Sequence, residues 1–461
     1  MKITNLGVLA YYCGRSICGS EDRYIYDFQK GIAAMITKNG KEILAGFDRA
    51  NYARPSVRRA AENVYFVNAL GHSNSTFIIA DSSVILIDCL DTVERGEKLR
   101  SIIREKTDKP VRTIIYTHIH PDHRGGSGAF KDEVREIIAF KPAKRPLCGM
   151  DKLTDIQGLR GKRQFGNELT DEEAVSQGIG PREGVCYGEH REMLAPTEAY
   201  DTELVNREID GVMLELRRLP GETDDTASIW LPDHQVLCCG DNHYGCFPNL
   251  YAIRGGQYRD IAAWTESLQV LMDYKAQFLL PGHGDMVEGR EAIEERLGNC
   301  KEAFSYILNE TLEGMNKGLG PEELAMSIKL PEHLSGLPYL QEHYGCVEWT
   351  VREIYAAYMG WFDGDPVQLH PMDKNEKCRR LVGLMGGAEK LLAECKNALS
   401  EGDAQYCLEL SEILENGIES GGQTYAELMT VKAAALLLMA DLETSANGRH
   451  YYIACAKELM K

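Results

Sequence analysis

From Val64 onward, short apolar runs rich in β-branched and aromatic residues alternate with clusters of Gly, Ser, Asn and Asp. NVYFVNAL, STFIIA and SVILIDCL read as consecutive strands joined by tight turns. A helix is expected over residues 94–105, and VRTIIYT, residues 111–117, reads as a buried strand ending at His118. Further strands are expected at 212–219, 227–231, 235–239 and 278–280, with a helix over 259–272 before the last of them. Interleaved strands and helices place this part of the chain in the α/β class. After residue 287 apolar residues recur at spacings of three and four through 292–317, 321–328 and 348–361, which predicts helices. Helical hairpins follow at 387–399, 404–416, 425–442 and 449–460, broken by Glu401-Gly402-Asp403 and Gly421-Gly422. The pattern divides the chain into an N-terminal arm (1–60), an α/β domain (61–287), a helical region (288–372) and C-terminal hairpins (373–461). The arm has only a weak strand candidate near Ile32 to Ile36, and Phe362-Asp363-Gly364-Asp365-Pro366 is the best-marked turn between the helical parts.

Composition narrows the function classes. With 461 residues, 44% hydrophobic and 26% charged, the chain is long enough for a large core and is neither disordered nor fibrous. A net charge of −19 repels polyphosphate, so no nucleic-acid partner is expected. No apolar run is long enough to span a membrane, and the 14 cysteines are scattered without a CxxC, as in a reduced, cytoplasmic protein.

The chemistry concentrates in THIHPDHRGG, where His118, His120, Asp122 and His123 follow the apolar strand directly. Residues 118 and 120 point the same way in an extended run, and Pro121 then turns the backbone before Asp122 and His123. The two pairs are thereby aimed at two adjacent metal ions.

This HxHxDH pattern resembles that of the metallo-β-lactamase superfamily. The resemblance implies an αββα sandwich with the site at its edge, followed here by an all-α dimerisation region. It also implies three more ligands downstream, and Leu219-Pro220-Gly221-Glu222, Cys239-Gly240-Asp241 and Pro281-Gly282-His283 supply them in order. Glu222 stands where most of the superfamily has His, with Asp224 as its rival. A carboxylate there resembles the linear alkylsulfatase branch. So do Asn249-Leu250-Tyr251-Ala252-Ile253-Arg254-Gly255, beginning eight residues beyond Asp241, the stretch from Val64 to Asp91, Tyr344-Gly345 and the segment 358–366.

The resemblance implies a small-molecule organic sulfate ester as substrate, two zinc ions as cofactor, a bridging hydroxide as nucleophile and a homodimer through the helical region. Asp241 is expected to bridge, with His118, His120 and Glu222 completing one ion and Asp122, His123 and His283 the other. Two zincs are offset by three carboxylates and a hydroxide, so the anion is left to Asn249 and Arg254 by resemblance. Family members carry a His shortly after Tyr-Gly, whereas this chain reads YGCVEWT, with Trp349 or Thr350 in that place. His243 and Tyr244 are the alternative proton donors. Without a strong donor, cleavage of the carbon-oxygen bond is favoured, because it expels the weak base sulfate. The sterol-carrier-like domain of the alkylsulfatases has no counterpart before Lys461, which points to a short, branched or cyclic ester. The alternatives are a hydrolase of a thioester, lactone or phosphoester, a metal-binding protein that recruits a partner, and a redox enzyme with one iron.

Overall fold

In the computed structural model, residues 39–461 are described, so the strand expected near Ile32 lies outside the described residues. A helix, α1 (Gly40–Asn51), lies within the stretch expected to be an arm. Two compact units make up the described residues, one of Leu44–Lys162 with Val175–Asp363, the other of Arg163–Ala174 with Gly364–Lys461 and the described residues before Leu44.

The larger unit is built on two sheets. Among the described residues, β1 (Ser56–Ala61), β2 (Val64–Asn68), β3 (Ser75–Ile79), β4 (Val84–Ile87), β5 (Val111–Ile115), β6 (Glu136–Phe140) and β7 (Glu198–Tyr200) lie in sequence order in one sheet. The other has β8 (Leu204–Ile209), β9 (Val212–Arg218), β10 (Ala227–Leu231), β11 (Val236–Gly240), β12 (Phe278–Pro281) and β13 (Val287–Glu288), also in order. Pairing is antiparallel except for β4–β5, β5–β6, β6–β7 and β11–β12.

Strand alternation explains the layering. Ile85, Ile87 and Ile115 of the first sheet share one core with Leu214, Leu216, Val236 and Cys238 of the second. The intervening residues face outward: Val84, Leu86 and Ile114 pack on Leu99 and Ile103 of α2 (Val93–Lys106). Leu237 and Cys239 pack on the helices of the opposite face. Because every strand position of VILI is buried, both faces of this sheet must be covered, and the αββα sandwich follows.

A third core unites that opposite face with the helices beyond residue 288. Beyond a short helix, α3 (Pro121–Arg124), lie α4 (Ile261–Asp273) and α5 (Arg290–Asn316), and Leu237 and Leu279 meet Trp264 and Leu268 of α4 and Ile293, Leu297 and Phe304 of α5. Val351 and Ile354 of α6 (Val347–Met359) join them. The change of periodicity at 288 therefore marks a change of element type within one shared core. The division between units falls at Asp363–Gly364, inside the Phe362–Pro366 turn.

In the smaller unit, α7 (Lys374–Leu384), α8 (Ala388–Ser400), α9 (Ala404–Gly417), α10 (Gly422–Leu442) and α11 (Ala446–Leu459) follow one another. Leu391, Cys395, Cys407, Leu414 and Leu428 form its core. Buried Arg449 donates to the carbonyls of Glu173 and Ala440, and His450 is bonded to the carbonyls of Gln164 and Ala174. These bonds fasten residues 163–174 to the C-terminal helices, an association that local sequence pattern does not encode.

Phe304 packs edge-on against Trp264 and Phe247, with ring centroids 5.6 and 6.1 Å away. Phe304→Ala is expected to cost about 3–5 kcal/mol. Chemical denaturation should show this loss in the sandwich itself; an unchanged midpoint would mean that α5 is not part of the shared core.

Candidate metal centre

Four strand ends deliver the site. His118 lies three residues beyond β5, Asp88 just beyond β4, Asp241 just beyond β11 and His283 two residues beyond β12. These are carboxyl ends, where side chains leave the sheet into a shared crevice. Glu222 comes from the Pro220-Gly221 turn between β9 and β10, while Asp122 and His123 sit on α3, with Pro121 opening that helix.

The described residues bring together two sets of potential metal donors, His118, His120, Glu222 and Asp241, and Asp122, His123 and His283. In the first, Glu222 Oε2 lies 2.9 Å from His120 Nδ1 and 3.4 Å from His118 Nε2. In the second, Asp122 Oδ2 lies 3.3 Å from Nε2 of both His123 and His283. Asp241 touches both sets. Its Oδ1 is 3.4 Å from His123 Nε2, and its Oδ2 is 3.3 Å from His283 Nε2 and 3.6 Å from His118 Nε2. Asp224 stands apart: its carbonyl accepts from the Ala143 amide, and Lys144, Asp260, Asp225 and Arg218 are the charges around it.

The donors are held from behind. Asp88 accepts from His123 Nδ1 at 2.8 Å and from the amide and hydroxyl of Thr117 at 2.8 and 2.7 Å. This leaves His123 Nε2 directed into the site. His283 Nδ1 donates to the His72 carbonyl at 3.0 Å, and the Asn74 side chain donates to the carbonyls of Pro281 and Gly284. Asp88 itself has φ 57°, a left-handed conformation at the site that is uncommon for a residue with a side chain. Gly282 has no substitute, since a Cβ there would lie 2.1 Å from Asp241 Oδ1 and 2.8 Å from His123 Cε1.

Charge and hydrogen bonding both fit a bound cation. His123 Nε2, His283 Nε2 and Asp241 Oδ1 are buried and make no hydrogen bond. Burial opposes a charge on His283, but Asp241 and Asp122 outweigh it and raise its pKa to about 10. The same contest holds His123 well above its usual value, while burial is overcome in the other direction at Asp122 and Glu222, which stay ionised. Carboxylates that hold protons on these imidazoles would hold divalent cations in their place, because such binding displaces protons from the ligands. Nitrogen and oxygen donors without thiolate suit zinc, iron or manganese.

The remaining expected residues divide. Tyr244 donates to Asp241 Oδ2 at 3.4 Å, and burial, Glu222 and Asp241 push its hydroxyl well above the usual value, so it stays protonated. Arg254 Nη2 lies 3.4 Å from His120 Nε2, at the rim of the first set. Asn249 is buried, and its carbonyl accepts from Arg259. His243, expected as an alternative donor, is corrected by its surroundings. Its Nδ1 is 3.8 Å from Cys300 Sγ of α5 and its ring faces Tyr339, so it points into the helical core. Burial and then Arg296 depress its pKa to about 3, so the ring is neutral near pH 7 and is no imidazolium acid. Thr350 turns its hydroxyl onto the Cys346 carbonyl at 2.8 Å, and Trp349 is half-buried on α6.

Asp88 and Arg259 are the residues that sequence reasoning missed. Asp88 had one signal, a carboxylate directly after a wholly apolar strand. Arg259 had only the general demand of a buried carboxylate at 222 for a counter-charge.

Comparison with known proteins identifies what the chain as a whole is similar to. Residues 69–283 match the metallo-beta-lactamase superfamily and residues 320–461 match alkyl sulfatase dimerisation. The chain is 34% identical over 397 residues to a linear primary-alkylsulfatase of Pseudomonas sp. (strain ATCC 19151), covering 83% of this chain and 73% of that one. It is 29% identical over 381 residues to the alkyl/aryl-sulfatase BDS1 of Saccharomyces cerevisiae, covering 77% and 59% respectively. The fold matches the solved structure of the stereoselective inverting sec-alkylsulfatase Pisa1 from Pseudomonas sp., with a TM-score of 0.78 and 23% identity, over 99% of this chain and 70% of that one. No helix among the described residues is long and apolar enough to cross a membrane. On the extent of these matches and the order of its site motifs, the chain belongs to the alkylsulfatase family of the metallo-beta-lactamase superfamily.

Proposed function

We propose that the protein hydrolyses alkyl sulfate esters to an alcohol and inorganic sulfate, with two zinc ions per chain. The observation that carries this reading is Asp241, whose carboxylate lies between the two donor sets, Oδ2 near both His118 and His283 and Oδ1 near His123. His118, His120 and Glu222 would hold one ion, Asp122, His123 and His283 the other, with Asp241 shared. Bound there, the pair would supply hydroxide near neutral pH without a side-chain base.

The chain's own residues do the rest. Arg254, beside His120, offers a planar fork to the sulfate oxygens, and Asn249 begins the same loop. Tyr244 keeps its proton on Asp241 and fixes that carboxylate. A hydroxyl held so far above its usual value is a poor acid for a leaving alkoxide. His243 is turned away, and Thr350 is committed to its own helix. These features favour attack on carbon with departure of sulfate, which needs no protonation. The homodimer is supported by the match of residues 320–461 to alkyl sulfatase dimerisation. The described cysteines are all free, in keeping with a reducing, cytoplasmic setting.

Sulfate release from alkyl sulfates in oxygen-18 water tests both parts. The expected result is turnover with label in the alcohol. Label in the sulfate would overturn carbon attack, and turnover of thioesters or phosphoesters without sulfate release would overturn the substrate class. Arg254→Ala should lower kcat/KM for an alkyl sulfate about 10- to 100-fold, the loss of one charge-assisted contact to an anion. An unchanged value would remove Arg254 from the substrate site.

A further inference from the structure

We infer that Arg259 is a positioning residue that divides the Glu222 carboxylate, fixing one oxygen and cancelling its charge so that the other is presented to the site as part of a neutral pair. This deepens the metal-centre reading above and rests on it. Arg259 Nη1 donates to Glu222 Oε1 at 2.9 Å, and the same nitrogen donates to the Asn249 carbonyl. The other oxygen, Oε2, is the one beside His118 and His120. The two oxygens of one carboxylate thus have separate duties, and the guanidinium decides which is which.

The pairing answers a physical need. The Glu222 side chain is 4% exposed and that of Arg259 10% exposed, so neither charge is balanced by water. Breaking a buried pair leaves an uncompensated charge, a larger loss than the pair's net worth. Burial works against the charge on Arg259, and Glu222 is the first group that sustains it. Arg259 also reaches across its own loop. The segment 249–255 carries Asn249 and Arg254, and the bond to the Asn249 carbonyl ties the start of that loop to the ligand. Ligand orientation and placement of the anion-binding loop are therefore set by one nitrogen.

Zinc binding to the purified, metal-stripped protein, followed by competition with a chromophoric chelator, tests the inference without reference to turnover. Arg259→Met is expected to weaken one of two zinc equivalents about 10- to 100-fold, the usual effect of losing a residue that orients a ligand. Arg259→Lys, whose ammonium serves both acceptors from one nitrogen, is expected to recover most of the loss. Glu222→His alone sets a neutral imidazole beside a stranded guanidinium. The double variant Glu222→His with Arg259→Met should therefore bind zinc more tightly than Glu222→His. Wild-type affinity in Arg259→Met, or tighter binding by Glu222→His than by the double variant, would overturn the inference. If Arg259→Met does not fold, the comparison of the two Glu222→His proteins decides it. Failure of the wild-type protein to bind two zincs would instead overturn the metal-centre reading itself.

Discussion

The carboxylate of Asp241 is shared between two groups of donors, and the rest of the larger unit is arranged to make that sharing possible. Its oxygens lie 3.3 to 3.6 Å from ring nitrogens of His118 and His123, which follow β5, and of His283, which follows β12. Such convergence demands that β5, β11 and β12 finish at one edge of the sandwich, with Gly282 leaving space beside the carboxylate. The apolar strands supply rigidity, since they are buried on both faces and cannot shift without opening a core. Precision at the site is thus a consequence of packing in the layers behind it.

Electrostatics sets the second constraint. The chain as a whole carries a charge of −19, yet its proposed substrate is an anion. The site resolves this locally. Arg254 stands beside His120, and Arg259 pairs with Glu222, so cationic groups gather where three ligand carboxylates would otherwise dominate. Burial amplifies each pairing because little water screens it. Surface ion pairs such as Arg58–Asp285, with both side chains well exposed, add little by comparison.

What the sequence reveals follows the range of the interaction that encodes it. The central strands β2 to β5 and β9 to β12 are legible because burial on one or both faces writes continuous or alternating apolar runs. The edge strands β1, β7 and β8 are not, since solvent reaches most of their positions and charged residues interrupt their apolar ones. The ligand motifs are legible because each lies within a few residues of a strand end or turn. Their supports are less so: Asp88 lies 35 residues from His123, and Arg259 lies 37 from Glu222, and neither separation leaves a local mark. His243 shows the converse failure. Proximity to Asp241 in sequence suggested a shared site, but the backbone beyond Asp241 turns the imidazole toward Cys300. The extended core beyond residue 288 was likewise hidden, because helical periodicity reports an apolar face without naming what covers it.

Whether Asp241 is shared between two metal ions is decided by the position of metal in crystals of the protein grown with zinc, located by anomalous scattering at the zinc edge. Two peaks are expected in each chain, one among His118, His120 and Glu222 and one among Asp122, His123 and His283, each beside an oxygen of Asp241. A single peak, or a second peak remote from Asp241, would contradict that sharing.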